Sequence, residues 1–239
     1  STTTNFFFAA VRIFVFTAFY KAQTEPQPLN LNEVITYVCL TQAFLMVMPL
    51  WGRPEMTEAI KDGSIALQLV KPVDFHGYWF ADEVGKAIYY VIMRSIPTFV
   101  LARILFNMWI PLDLIIIASF VVSMALAIAM TAAMNITVFA TVFWTLDATG
   151  IQGFAATIIM FFSGFLVPIA LWPGWLQQVA GCLPFEGLVH LPFSIYLGKF
   201  TGPAVWVALG KQIFWVLAFI GLGRLILQRG FLRLVVQGG

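Results

Sequence analysis

Charged side chains are scarce in this sequence. Asp, Glu, Lys and Arg make up 10% of the 239 residues, whereas 61% are hydrophobic. A soluble domain usually carries about 25% charged residues, and a soluble chain this apolar would expose large hydrophobic patches. The mean hydropathy of +0.91 therefore predicts an integral membrane protein. The formal net charge of +2 is too small to indicate a nucleic-acid partner.

Cysteine and histidine are also rare, with two of each. Cys39 and Cys182 form no C-x-x-C pair, which excludes a disulfide framework. His76 and His190 are isolated, so we predict no metal site. An integral membrane enzyme would need clustered His, Asp or Cys at one interface, and these spacings argue against that class.

The sequence contains no nucleotide-binding loop. A P-loop requires the pattern G-x-x-x-x-G-K-[ST], whose backbone N–H groups and lysine hold phosphates. Gly-Lys pairs occur at 85–86, 198–199 and 210–211, and none is followed by Ser or Thr. We therefore predict that this chain is not an enzyme and has no cofactor of its own.

Long apolar runs are present instead, and they predict an all-α integral membrane protein. A helix needs ~20 mostly apolar residues to cross the ~30 Å hydrocarbon layer. The runs predict one transmembrane domain over residues 1–239 with six helices, at about 6–22, 32–51, 87–106, 113–144, 150–171 and 204–227. The chain begins without Met, and we expect its natural N-terminus to be missing or processed.

The positive residues predict the orientation. Six spans place the 52–86 loop and the C-terminal tail on one side, with seven Lys and Arg residues against three on the other. Cytoplasmic loops carry the excess of Lys and Arg. We therefore expect a multi-pass protein of the cell membrane with both termini and the 52–86 loop in the cytoplasm.

Residues 172–200 are apolar but interrupted by Pro173, Pro184 and Pro192. Proline removes a backbone donor and breaks helices. Irregular backbone at membrane depth is tolerated only where protein or water covers it. This segment is therefore predicted to form short interfacial or re-entrant helices on the outer side, between the fifth and sixth spans.

The polar passage of residues 53–75 breaks the apolar pattern. Pro54 favours a helix start and Gly63 a helix end, so residues 54–63 are predicted to form a short helix. Asp74 can cap a following helix, and residues 75–87 are expected to lie along the membrane surface before the third span. A helix of ten residues is marginal alone. It either docks on a partner or lies on its own membrane domain.

The passage resembles that of a known family. The pattern I-x-x-G-x-I/L-x-x-x-L-x-x-P, followed by a proline-punctuated segment before the last span, is similar to the permease subunits of ABC exporters, in the six-helix branch of the type-2 exporter class. In this sequence the pattern consists of Ile60, Gly63, Ile65, Leu69 and Pro72.

The resemblance implies several partners and a site. Residues 54–63 would be the coupling helix, which docks on a separate ABC ATPase subunit that binds ATP and Mg²⁺. The implied contact residues are Glu55, Glu58, Lys61, Asp62 and Gly63. A six-helix unit forms half of a pathway, so a second permease subunit, the same or related, is also implied.

The inward faces of spans two and five suit a small amphipathic or lipid-like substrate moving within membrane lipid. The candidate pathway residues there are Phe44, Met48, Phe161 and Phe165. Arg12 falls within the first span, where an ionisable residue usually faces a bundle interior or water. It contacts substrate, forms an Arg–Asp pair on the inner side or extends to the membrane interface.

An ATP-independent secondary transporter or channel is the alternative to an exporter subunit. Such a protein would show interrupted helices in both halves or an acidic relay at the membrane midplane. Neither feature is clear in this sequence.

Overall fold

The computed structural model describes residues 2–23, 25–48, 58–59, 64–65, 72–145 and 149–232. All regular structure in these ranges is helical. The α-helices are α1 (Thr2–Ala22), α2 (Leu31–Phe44), α3 (Phe75–Phe106), α4 (Leu114–Phe139), α5 (Val142–Thr145), α6 (Thr149–Phe162), α7 (Gly174–Cys182), α8 (His190–Tyr196) and α9 (Pro203–Phe231). Two 3₁₀ helices, Ile169–Leu171 and Phe185–Leu188, flank α7.

Four of the described helices are long and apolar enough to cross a membrane: Thr4–Ala22 within α1, α3, Leu114–Thr145 across α4 and α5, and α9. They correspond to the first, third, fourth and sixth predicted spans. The described parts of α2 and α6 have 14 residues each. At 1.5 Å per residue each measures about 21 Å, which is shorter than a ~30 Å hydrocarbon layer.

Side-chain caps fix where three helices begin. The Asp74 Oδ2 atom accepts a hydrogen bond of 2.8 Å from the Gly77 N–H group at the start of α3, as the sequence predicts. Asp113 Oδ1 does the same for Ile115 N–H at the start of α4. At α2, Asn30 and Glu33 form a reciprocal capping box. Each cap satisfies a backbone donor that the first helical turn leaves unpaired.

Helix α3 differs from the prediction, which had residues 75–87 along the membrane surface and a separate span beginning at residue 87. It is continuous from Phe75 to Phe106, with a π-helical segment at Val91–Ser95. The physical reason is the spacing of its buried residues, which are Phe75, Trp79, Glu83 and Ala87. Residues four apart share one helix face, so a single face packs against α4 through the predicted boundary.

Two other helices end earlier than predicted, and a third is interrupted. The run predicted at 32–51 forms α2, which ends at Phe44. The run predicted at 113–144 is interrupted after Phe139 and resumes as the short helix α5, which ends at Thr145. The run predicted at 150–171 ends at Phe162. Gly164 has a φ of +79°, a left-handed conformation that glycine adopts readily and that ends helices. Hydropathy continues through this glycine, but the helix does not.

The helices pack as a bundle with two different ends. α9 packs along α4, α1 against α2, and α3 against α4. We call residues 163–200 the cap segment; α8 within it is buried and packs on α4. We call the other end, where the C-terminal half of α9 meets the start of α3, the loop end. Lys211 contacts the cap segment and Leu227 lies at the loop end, about 24 Å apart along α9.

Candidate functional site

The described part of the polar passage packs on the loop end. Ala59 is 6% exposed and Ile65 is fully buried. Both belong to a hydrophobic cluster whose other buried members are Phe75, Trp79, Ile136, Phe139, Ala140 and Leu227. Glu58, next to Ala59, is exposed. Ala59 and Ile65 therefore lie on α3, α4 and α9, while the predicted contact residue Glu58 is exposed. Glu55, Lys61, Asp62 and Gly63 lie outside the described residues.

A cavity of about 200 Å³ opens beside this cluster at the loop end. Its lining residues are Asp74, Phe75, His76, Arg224, Leu227, Gln228 and Phe231. Asp74 Oδ2 and Arg224 Nη2 lie 3.4 Å apart, and both side chains are more than half exposed. An exposed ion pair of this kind contributes about 0–1 kcal/mol to stability. Asp74 and Arg224 therefore line the cavity with charged groups, and their ion pair adds little to stability.

A buried carboxylate lies deeper along α3. Asn135 Nδ2 donates a hydrogen bond of 2.7 Å to Glu83 Oε2, and both residues are buried between α3 and α4. Glu83 has further interactions as well. Sequence reasoning did not single out Glu83. Its position could have identified it, since Glu83 lies four residues after Trp79 and four before Ala87, on the buried face of α3.

Side chains from the spans satisfy the backbone at the start of the cap segment. Tyr37 Oη donates to the Gly164 carbonyl at 2.9 Å. Arg12 Nη2 donates to the carbonyls of Phe165 and Leu166 at 2.6 and 2.9 Å. Arg12 therefore turns towards the protein rather than to the membrane interface. Irregular backbone at membrane depth needs such internal partners, and α1 and α2 provide them.

The last helix holds the other part of the cap segment. Lys211 Nζ donates to the Gly181 carbonyl and forms an ion pair with Glu186. Gln212, which is fully buried, donates to the Gly187 carbonyl at 2.7 Å and exchanges two bonds with Ser123 of α4. Lys199 pairs with Glu33 of α2 at 2.7 Å. Hydrogen bonds and ion pairs therefore attach the cap segment to α1, α2 and α9.

A half-buried histidine lies in the same region. The backbone N–H group of His190 donates to the Ser163 carbonyl, and its ring Nδ1 lies 3.3 Å from Ser194 Oγ. Loss of solvent around the ring lowers the pKa of His190 below its usual value, and the positive charge of Lys211 lowers this pKa further. Both effects disfavour the charged form, so this histidine is neutral near pH 7.

Three of the four predicted pathway residues share one hydrophobic cluster. Met48 and Phe165 are buried members, and Phe44 packs against them from the end of α2. The structure places Phe161 apart, with 43% of its surface exposed and its ring stacked on Trp172. Phe165 also lies under the guanidinium group of Arg12, whose central carbon is 5.4 Å from the ring centre.

The described residues form no group of three or more His, Cys, Asp and Glu side chains that could hold a metal ion.

The whole chain matches one family of known proteins. The family model described as "ABC-2 family transporter protein" matches residues 6–238. No curated protein and no solved structure matches this chain. The match extends from α1, through the polar passage and the cap segment, to the residues after α9.

Proposed function

Because this chain belongs to the ABC-2 family of transporter proteins, we propose that it forms half of the substrate pathway of an ATP-driven exporter and is coupled to a separate ATPase through residues 54–63. It is a multi-pass membrane protein and a membrane permease of an ABC transporter. Permeases of this family are membrane subunits, in general not enzymes themselves, and associate with an ABC ATPase subunit. ATP and Mg²⁺ are bound by that partner.

The two-sided packing of the polar passage carries the coupling proposal. Ala59 and Ile65 are buried on the loop end, whereas Glu58 is exposed. A segment that packs on the membrane domain through Ala59 and Ile65 and exposes Glu58 can transmit the movement of a partner to the bundle. The charged residues proposed for the contact are Glu55, Glu58, Lys61 and Asp62.

Two observations support six crossings. α2 begins at the cap end, where Glu33 pairs with Lys199, and the chain reaches the loop end by Ala59. α6 follows α5, which contacts α9, and leads into the cap segment at Ser163. These contacts support the proposal that the chain crosses between the two ends of the bundle at α2 and at α6. With six crossings, both termini lie on the side of the polar passage, which the Lys and Arg distribution places in the cytoplasm.

The native cysteines test this topology. Cys182 is exposed in the cap segment, and Cys39 is buried in α2. A membrane-impermeant maleimide added to intact cells should label Cys182, and Cys182→Ser should abolish the labelling. Labelling that requires permeabilised cells would place the cap segment in the cytoplasm and contradict the exporter proposal.

Co-purification tests the coupling. The complex is isolated in mild detergent with the ATPase expressed alongside the chain. Changing Glu58 and Asp62 to Lys reverses two charges on the proposed contact and should release the ATPase. Glu25→Lys is the matched control, since Glu25 is exposed in the connection between α1 and α2 at the cap end. Retention of the ATPase by the double variant, or equal loss with Glu25→Lys, would contradict the coupling site.

The remaining parts of the proposal concern the pathway. One six-helix unit forms half of it, so a second permease subunit, identical or related, completes it. The substrate is a small amphipathic or lipid-like compound that passes the cluster of Phe44, Met48 and Phe165. Phe161→Ala tests the predicted pathway residue that lies outside this cluster, since this side chain is partly exposed and its loss leaves only a small cavity. We expect slower export with unchanged protein yield; unchanged export would remove Phe161 from the pathway.

A further inference from the structure

Arg12 lies where a charge is costly. It is near the middle of α1 (Thr2–Ala22), about 15 Å from either end at 1.5 Å per residue. In a ~30 Å hydrocarbon layer, that position is close to the midplane. Charged residues at this depth are rare, and they usually face a bundle interior, a water-filled cavity or a substrate path.

Neutral acceptors account for the hydrogen bonds that Arg12 makes. Nη1 donates to Thr41 Oγ1 at 2.9 Å, and Nη2 donates to the carbonyls of Phe165 and Leu166. An arginine has five N–H donors, so these bonds leave two without an acceptor in the described ranges. The bonds hold the guanidinium group in a fixed place but leave its charge uncompensated.

Among the described residues, no carboxylate forms an ion pair with Arg12. In the part of the chain that the structure describes, no carboxylate oxygen lies within 4 Å of Arg12. The described ion pairs are Lys86–Asp82, Lys199–Glu33, Lys211–Glu186 and Arg224–Asp74. Lys211 differs from Arg12 in this respect: it also lies within a spanning helix, but it forms an ion pair with Glu186.

A ligand can reach the guanidinium group. Arg12 is only partly buried, and Leu166, whose carbonyl it binds, is 44% exposed. On its other side the group lies over the ring of Phe165, which belongs to the same hydrophobic cluster as Met48. A fixed positive charge therefore lies beside Leu166, an exposed apolar side chain, and this arrangement suits a molecule with an anionic group and an apolar body.

We propose that Arg12 binds the oxyanion of the transported compound, so that the substrate is an anionic amphiphile with a carboxylate or phosphate group. This inference rests on the proposed transport function and specifies its substrate class. The anion supplies the missing counter-charge, and charge-assisted hydrogen bonds to the free N–H donors of Arg12 hold it. The apolar body lies against the exposed side chain of Leu166.

The test compares two probes with the same apolar body. The full-length protein is placed in phosphatidylcholine nanodiscs, and binding of a fluorescent long-chain fatty acid is measured beside binding of its neutral methyl ester. We expect the acid to bind the wild type at least about tenfold more tightly than it binds Arg12→Gln. The ester should bind both proteins alike. Arg12→Lys, which keeps the charge, should retain most of the affinity for the acid.

Tyr37→Phe is the matched control, since it removes a neutral bond to Gly164 of the same backbone segment. If Arg12 only supported that segment, Tyr37→Phe and Arg12→Gln would weaken the binding of acid and ester equally, and the proposal would be wrong. Unchanged acid binding in Arg12→Gln would also overturn it.

Two further arms establish the source of the anion and separate this site from the coupling helix. Nanodiscs with phosphatidylglycerol test whether a resident lipid headgroup occupies the site; suppression of acid binding by this lipid would overturn the substrate assignment. The binding assay needs no ATPase. A chain that binds the acid through Arg12 but recruits no ATPase would refute the proposed coupling and not this site. A chain that recruits the ATPase but does not bind the acid through Arg12 would refute only this site.

Discussion

Replacing Gln212 with Leu tests how the last helix holds the cap segment. Gln212 is fully buried in α9 and takes part in three hydrogen bonds. One reaches the Gly187 carbonyl of the cap segment, and two join it to Ser123 of α4. Leucine has a similar volume but neither donates nor accepts, so the substitution removes all three bonds and creates little cavity.

The expected magnitude follows from those bonds. Hydrogen bonds between helices in membranes contribute ~0.6 kcal/mol each on average. Three of them give a loss of about 2 kcal/mol in the free energy of unfolding. We expect the loss to exceed that of an ordinary surface substitution, which usually lies within about 0.5 kcal/mol of zero.

The assay is reversible unfolding of the purified chain in mixed micelles of a mild detergent and dodecyl sulfate, followed by circular dichroism. Gln228→Leu is the control, since Gln228 is an exposed glutamine of the same helix. A loss in Gln212→Leu no larger than in Gln228→Leu would refute the view that these buried bonds stabilise the packing of α9 on α4 and on the cap segment.

Two further predictions concern the cap segment. Gly164→Ala should destabilise the protein by about 2 kcal/mol or more, since φ is +79° and a Cβ atom would lie 2.9 Å from Tyr37 Oη; in thermal unfolding, Gly174→Ala, with open space around it, should have little effect. Loss of solvent, and then Lys211, lower the pKa of His190, so the unfolded state binds its proton more readily than the folded state does. Stability should therefore fall as the pH decreases through about 6.5, and the fall should be smaller in His190→Gln; an equal fall in both proteins would contradict this.

Local signals in the sequence predicted several features correctly. Asp74 was identified as a helix cap, and it accepts the expected bond from Gly77. The prolines of 172–200 indicated short helices, and the structure has α7, α8 and two 3₁₀ helices in the cap segment. Asp113 marked the start of α4. These features depend on a few neighbouring residues, which is why the sequence alone suffices for them.

Features that depend on distant residues were not predictable. Nothing in the sequence around Arg12 shows that its partners lie at 41, 165 and 166. The pairing of Glu83 with Asn135 joins residues on different helices. The end of α6 at Phe162 depends on the conformation of Gly164 within a run whose hydropathy does not change. Hydropathy measures how apolar a segment is, but not which carbonyl a side chain reaches.

The uninterrupted length of α9 has a mechanical consequence. It is one helix from Pro203 to Phe231. About 12 Å from its N-terminal end, Lys211 and Gln212 contact Glu186 and Gly187 of the cap segment. Near its C-terminal end, Leu227 belongs to the cluster of Ala59 and Ile65. A continuous helix attached at both places cannot be displaced at one of them without straining the contacts at the other. If a partner outside the bilayer displaced the polar passage, α9 would transmit that displacement to the cap segment.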